Sequence, residues 1–426
     1  MKSEIIIIGA GITGLAAGME LKDRAVVLEK GDHPGGLVRT FNFDGYWFDN
    51  VVHLLHFRNS EIESYVKSLM GNVLKSCPPT GWVETSEGKV RYPFQLNLGG
   101  LNIAAQLQCL FDFIRRDLDA VSSSYKEFLI NTFGRSMCEI FFFPYNRKLW
   151  NYNLDEMTAV GQIWNITQPS IREIFKGITC PDRIRDSYNS NAYYPQSDVD
   201  AELRGMEILS RTMAGMVGNL RLSEEVLHIL PRQKIIVTKQ EDYFYDNCLS
   251  TIPLPRLMKI CDAPKKLMNE VNKLKWITVN SIALSVKGKR QKETGLWHYY
   301  SDPDIVFTKV IFMTEFDGHN APPDGFGLLI EVPGKKITKT LIKKAIADLK
   351  KVKVLTPEDV VIGVNSWLVN PAYIIFTKET PQIVEDCKWY FEKFNITTLG
   401  RYGSWEYSSM AENIEEGLDF AKQLKL

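Results

Sequence analysis

The sequence predicts an α/β protein, and three observations carry that prediction. Ile5–Ile8 is a short, wholly apolar run, as expected of a parallel strand buried on both faces. Gly9-Ala10-Gly11-Ile12-Thr13-Gly14 follows it directly. A helical stretch with Leu15, Met19 and Leu21 on one face then leads to a second apolar run, Ala25–Leu28, with Glu29 at its end.

Strand, glycine turn, helix, strand and acid make a complete Rossmann-like βαβ unit. Each part has a physical role. Gly9 permits the tight turn, Gly11 lets backbone N–H groups approach a pyrophosphate, and Gly14 allows close packing of helix on strand. The helix N-terminus stabilises the negative charge of the phosphates. Glu29 is placed to accept hydrogen bonds from a ribose diol.

At 426 residues the chain is too long for one hydrophobic core, so two or three domains are expected. Lys+Arg and Asp+Glu are equal at 51 each. No global field therefore draws the chain to nucleic acid or to anionic lipid, and an anionic ligand has to be gripped locally. The seven cysteines form no CxxC pair and have no zinc-like histidine spacing, a set that a reducing compartment permits. The opening run is interrupted by Gly9, Gly11 and Gly14 and ended by Glu20, unlike a signal peptide. A soluble, cytoplasmic protein without a membrane span is expected.

After Glu29 come Lys30, Gly35-Gly36 and Arg39-Thr40. This continuation resembles that of the flavin amine oxidase superfamily and implies FAD rather than NAD. The resemblance places Lys30, Gly35, Gly36 and Arg39 along the cofactor, with Val226 meeting adenine through its backbone. Further segments narrow the likeness. Tyr92-Pro93-Phe94-Gln95-Leu96-Asn97, Phe133-Gly134 followed by Pro144-Tyr145-Asn146-Arg147-Lys148-Leu149-Trp150, Asp246–Leu254, and Gly400-Arg401-Tyr402-Gly403-Ser404-Trp405-Glu406-Tyr407 occur in the order found in UDP-galactopyranose mutases.

That resemblance implies a non-redox isomerisation of a nucleotide-linked sugar between pyranose and furanose forms. In the family, reduced FAD attacks the anomeric carbon through N5 while UDP leaves. Carried over residue by residue, Tyr92 and Gln95 are uridine contacts, and Tyr373 and Tyr407 are diphosphate-contacting tyrosines. Gly400 and Arg401 lie beside the flavin, and His53 belongs to the loop over the isoalloxazine. His53, Arg401, Tyr373 and Tyr407 form the candidate catalytic set. Tyr92, Gln95, Asn165, Lys309, Tyr373 and Tyr407 form the substrate set.

The chain also departs from the pattern. Val51-Val52 stand where the family's histidine loop carries two glycines, and β-branched residues avoid conformations open to glycine. Asn165 and Lys309 stand at diphosphate-binding arginines, and Ala411 at an asparagine. Lysine lacks the fork that grips two oxygens together. Either other cations, such as Arg147 or Arg172, substitute, or the substrate is not UDP-galactose. An FAD-dependent oxidase or dehydrogenase of the same superfamily is the alternative reading. The sequence leaves room for a homo-oligomer.

The expected organisation is an FAD-binding domain over residues 1–98, 191–262 and 396–426. A helical domain is inserted over 99–190, and an antiparallel-sheet substrate domain spans 263–395. In the last of these, strands are expected at Ile277–Val286, Ile305–Phe316 and Gly327–Val332. The lysine-rich run Lys335–Lys353 reads as a helix whose stripe of Leu341, Ala345, Ile346 and Leu349 lies beneath solvated charge.

Overall fold

The computed structural model describes residues 2–52, 54–117, 119–161, 166–181, 190–290 and 294–424. Two seven-stranded sheets organise it. The first has the strand order Leu220–Arg221, Ala25–Leu28, Lys2–Ile8, Asp242–Ser250, Ile235–Thr238, Val226–Leu230, with Ile396–Thr398 pairing the far end of Asp242–Ser250. Lys2–Ile8 runs parallel to both of its neighbours.

The reason for an unbroken apolar strand is visible in its surroundings. Ile5 and Ile7 pack with Leu15, Ala16 and Leu418 on one face. Ile6 and Ile8 pack with Cys248, Leu257 and Trp405 on the other. Successive side chains point to opposite faces, so both halves of the tetrad are buried in different clusters. Helix Ile12–Leu21 lies between this sheet and the final helix, Met410–Gln423. A Cβ on Gly417 would come within 2.3 Å of the Thr13 carbonyl oxygen, so glycine is what lets the two helices approach.

The second sheet has the order Val360–Ile375, Lys275–Lys287, Gly325–Pro333, Lys309–Phe312, Trp297–Tyr300, Gly81–Thr85, Gly88–Arg91. All its pairings are antiparallel except that of Trp297–Tyr300 with Gly81–Thr85. The hairpin of residues 81–91 falls within the segment 1–98, yet it belongs to this second sheet. Its partner strand is more than two hundred positions away, a pairing that local pattern does not encode. The strand expected over Ile305–Phe316 is shorter. Only Lys309–Phe312 is extended, and Met313–Phe316 is a helical turn.

Helix Lys339–Lys351 covers one face of this sheet, with Ala345 and Leu349 buried and Leu341 and Ile346 packed beside them. The lysine run is therefore a solvated helix face. The inserted helices Ile103–Ile114, Tyr125–Phe133, Phe143–Trp150 and Ile171–Thr179 pack around Phe94, Phe113, Phe133 and Phe142. Among the described residues, no helix is long and apolar enough to cross a membrane.

Candidate active site

The candidate site forms where the parallel strands of the first sheet end, the position at which open α/β sheets bind ligands. Gly9 follows the first strand at φ +100, and its N–H donates to the Leu28 carbonyl at 2.8 Å. A Cβ there would meet Thr251 Oγ1 at 2.6 Å, and one on Gly14 would meet the Gly9 oxygen at 2.0 Å. Both glycines are thus demanded by the protein itself.

Gly11 differs from them. Nothing lies within 4 Å of a Cβ built on it. It is the N-cap of helix Ile12–Leu21, which has no side-chain cap and no acid in its first turn. The first-turn N–H groups and the positive helix end therefore face open space.

The second glycine pair closes on this space. Gly35 donates to the Ala10 carbonyl at 2.7 Å and bridges to Gly11. Gly36, at φ +61, would place a Cβ 3.2 Å from the Gly11 Cα. The Glu29 carboxylate is braced by the N–H groups of Ala10 at 3.0 Å and Gly31 at 2.8 Å, which leaves lone pairs for ribose hydroxyls. Arg39 lies over the Phe41 ring at 5.0 Å, with its Nη2 3.4 Å from His33 Nδ1. Lys30 is exposed, and Val226 is buried opposite Thr238. An uncapped helix end, a glycine-lined space and a braced acid fit the phosphates and ribose of FAD.

The C-terminal segment closes the same region. Gly400, at φ +81, donates to Glu416 Oε2 at 2.8 Å. Arg401 N–H donates to Asn413 Oδ1 at 2.9 Å, and its Nη1 donates to the Ser408 carbonyl at 3.1 Å. The guanidinium lies 4.6 Å from the centre of the Tyr407 ring. Asn413 Oδ1 also accepts from Thr13 Oγ1 at 3.3 Å, tying the last helix to the first. Sequence reasoning missed Asn413 and Glu416. The available signal was that both sit three residues apart on one helix, next in sequence to the glycine–arginine segment.

The roof is one face of the second sheet. Tyr299, Lys309, Glu331, Ser281 and Trp367 are successive cross-strand partners, so they share a face. Lys309 Nζ lies 3.9 Å from Glu331 Oε1, 4.9 Å from the Trp297 ring centre and 5.6 Å from that of Tyr299. Tyr92 packs on Trp297 and Tyr299 at 5.8 and 5.6 Å. Tyr373 stands edge-on to Trp150 at 5.9 Å. The Glu331 carboxylate, and burial after it, hold the Tyr373 hydroxyl well above its usual titration range. Glu331 was not foreseen from the sequence.

Other expected residues are committed to the protein. Gln95 is buried, and its Nε2 donates to the Thr167 carbonyl at 2.8 Å. The Tyr407 hydroxyl donates to the Ile374 carbonyl at 2.7 Å, and burial pushes its titration upward. Lys148, in the segment around Tyr145, donates to the carbonyls of Tyr300 and Asp302, both at 2.9 Å, and burial pulls its ammonium down to about 7. Arg147 lies over Phe143 at 5.5 Å, and Arg172 is exposed.

Trp367 Nε1 donates to the Asn50 carbonyl at 2.9 Å, and Ser281 Oγ donates to the same oxygen at 3.4 Å. These bonds hold the backbone that leads into Val51-Val52 beneath the roof. His53 and Asn165 lie outside the described residues.

Comparisons agree with this architecture. The family described as flavin containing amine oxidoreductase matches residues 12–381. A crystal structure of reduced UDP-galactopyranose mutase superposes with a TM-score of 0.90 at 22% identity, covering 100% of this chain and 94% of that one. A putative protoporphyrinogen oxidase from Exiguobacterium sp. 255-15 gives a TM-score of 0.74 at 15% identity, over 99% and 98% of the two chains. Wild-type putrescine oxidase bound to putrescine gives 0.67 at 15% identity, over 100% and 99%.

Proposed function

This chain belongs to the family of flavin-containing amine oxidoreductases and binds FAD, and from that premise we propose that it isomerises a nucleotide-linked sugar between pyranose and furanose forms. We further propose that the substrate is not UDP-galactose. The observation that carries the reading is the pairing of an FAD cradle with a roof holding Lys309, Tyr373 and an aromatic group of Tyr92, Trp297 and Tyr299. The likeness in fold to the reduced mutase supports it.

Reduced flavin supplies a nucleophilic ring nitrogen when bound. The protein's own residues bind, orient and exclude water. Arg401 and Lys309 supply positive charge for a departing diphosphate. Tyr373 stays protonated because Glu331 and burial oppose its ionisation, so it donates to an anionic oxygen without titrating. The faces of Tyr92 and Tyr299 suit a planar base.

Electrostatics favours a changed substrate. Lys309 has a carboxylate within 3.9 Å and offers a point charge where a guanidinium would offer a fork. A doubly charged diphosphate gains less here than from two arginines.

One feature favours the second reading, an FAD-dependent oxidase or dehydrogenase. A nearly buried Glu331 among aromatic rings also suits a cationic amine.

Anaerobic incubation of dithionite-reduced protein with a panel of nucleotide sugars, followed by chromatography of the ring isomers, separates the two. Interconversion without net oxidation supports the isomerase. Oxygen consumption by the oxidised protein with an amine or alcohol, and no ring isomerisation by the reduced form, overturns it.

A further inference from the structure

Strand Val360–Ile375 is the outermost member of the second sheet and, among the described residues, pairs only with Lys275–Lys287. Its later part is covered, for the carbonyls of Ala372 and Ile374 accept from the hydroxyls of Tyr402 and Tyr407. From Val360 to Val369, no backbone group bonds beyond Lys275–Lys287 among the described residues. A row of unpaired N–H and C=O groups is a template for another strand.

The side chains match that picture. Val360, Ile362, Val364 and Leu368 are 41–56% exposed. Four such side chains on one strand exceed the singly scattered apolar residues that are normal on a surface. Proteins usually protect such an edge with charges, prolines or shortness. Val360–Val369 contains no charged residue and no proline. One irregularity interrupts the pairing between Val361 and Gly363, and the register beyond it is regular to Val369.

We propose that this edge pairs antiparallel with the same strand of a second copy of the chain, joining two second sheets across a two-fold axis. The stretch Gly363–Val369 supplies a ladder of roughly 24 Å at about 3.4 Å per residue. A two-fold axis sets each patch against itself, so an uncharged apolar edge meets an uncharged apolar edge. Val360–Val369 itself carries no cation for anionic lipid or nucleic acid.

The edge alone is smaller than the roughly 800 Å² per partner of a standard interface. At its Val360 end it runs into a groove of about 1120 Å³, whose lining is mixed, with Trp47 and Pro322 beside the charged Lys287, Lys289, Arg290 and Glu358. That groove lies away from the glycine turn and extends the surface available to a partner. A competing apolar face exists on helix Ile103–Ile114, where Ile103, Leu107, Phe111 and Ile114 are exposed. It offers no unpaired strand backbone.

The test is the solution mass of the full, FAD-loaded chain, measured by light scattering at tens of micromolar. The expected mass is twice that of one chain, falling to half in the Ile362→Lys/Val364→Lys double variant with FAD content unchanged. Hydrogen exchange of the wild type at high and low concentration checks the surface without mutation. Within Gly363–Val369, the alternate amides that do not bond to Lys275–Lys287 should be protected only when concentrated. A monomeric wild type overturns the proposal. So does a dimer that survives the double variant, one broken instead by Phe111→Lys, or exchange at those alternate amides that does not depend on concentration.

Discussion

Lys309 Nζ and Glu331 Oε1 lie 3.9 Å apart on adjacent strands of the roof, with their side chains only 13% and 10% exposed. The separation is too long for a hydrogen bond, so the carboxylate moderates the lysine's charge without occupying its donors. Lys309→Met should weaken UDP binding about tenfold or more, because a charge-assisted hydrogen bond is worth about 1.5–3 kcal/mol. Lys309→Arg should strengthen it by restoring a two-pronged donor. Titration of UDP into the reduced protein, followed through the flavin spectrum, measures both. Equal affinities across the three proteins would remove Lys309 from the diphosphate site.

Gly11 and Gly14 make opposite predictions although they stand in one turn. A Cβ on Gly11 enters open space, and one on Gly14 strikes the Gly9 oxygen at 2.0 Å. Gly11→Ala should fold with an unchanged apo melting temperature and lose most of its FAD, since the methyl fills the phosphate position. Gly14→Ala should lose stability with or without FAD, by about 1–3 kcal/mol for overpacking. Thermal melts of apo and reconstituted protein, together with the flavin-to-protein ratio, distinguish them.

That contrast shows what was legible before the fold was known. The glycine turn and Glu29 lie within one local unit, so their spacing suggested their roles, and Gly35-Gly36 entered through the family resemblance. Glu331 was not legible, because it sits inside Leu328-Leu329-Ile330-Glu331-Val332, a run that reads as buried strand. Its meaning comes from pairing with Lys309 across the sheet. The one hint was an acid in the middle of an apolar tract. Asn413 and Glu416 read as the solvated side of an amphipathic helix until Gly400 and Arg401 fold against them. Gln95 illustrates the reverse. Its motif suggested a ligand contact, and its side chain is bonded to Thr167.

The Tyr407 hydroxyl donates to the Ile374 carbonyl at 2.7 Å, so a structural task accompanies any contact with substrate. Tyr407→Phe should lower stability by about 1 kcal/mol, the net worth of one such bond. If Tyr407 also meets the diphosphate, the same variant weakens UDP binding. Chemical denaturation of the FAD-loaded protein reads the first effect, and UDP titration reads the second. A variant as stable as the wild type would show that the Ile374 bond contributes nothing.

Glu416 makes the stability of the cofactor region depend on pH. Burial, with Glu406 and Glu412 nearby, raises its carboxyl from 4.5 to about 7. The folded state therefore binds the proton more tightly than the unfolded state. The stability this contributes is fully present below about 4.5 and is lost as pH rises through about 7. Buried Asp49, raised to about 6, acts in the same direction. Glu416→Gln keeps an oxygen to accept from the Gly400 N–H and has no proton to lose. Between pH 5 and 8 the wild type should show the steeper fall in melting temperature, and Glu416→Gln should remove only part of it because Asp49 remains. Melting curves of both proteins across that range give the comparison. Parallel curves would mean that Glu416 does not titrate differently on folding, and that the Gly400 hydrogen bond does not depend on its charge.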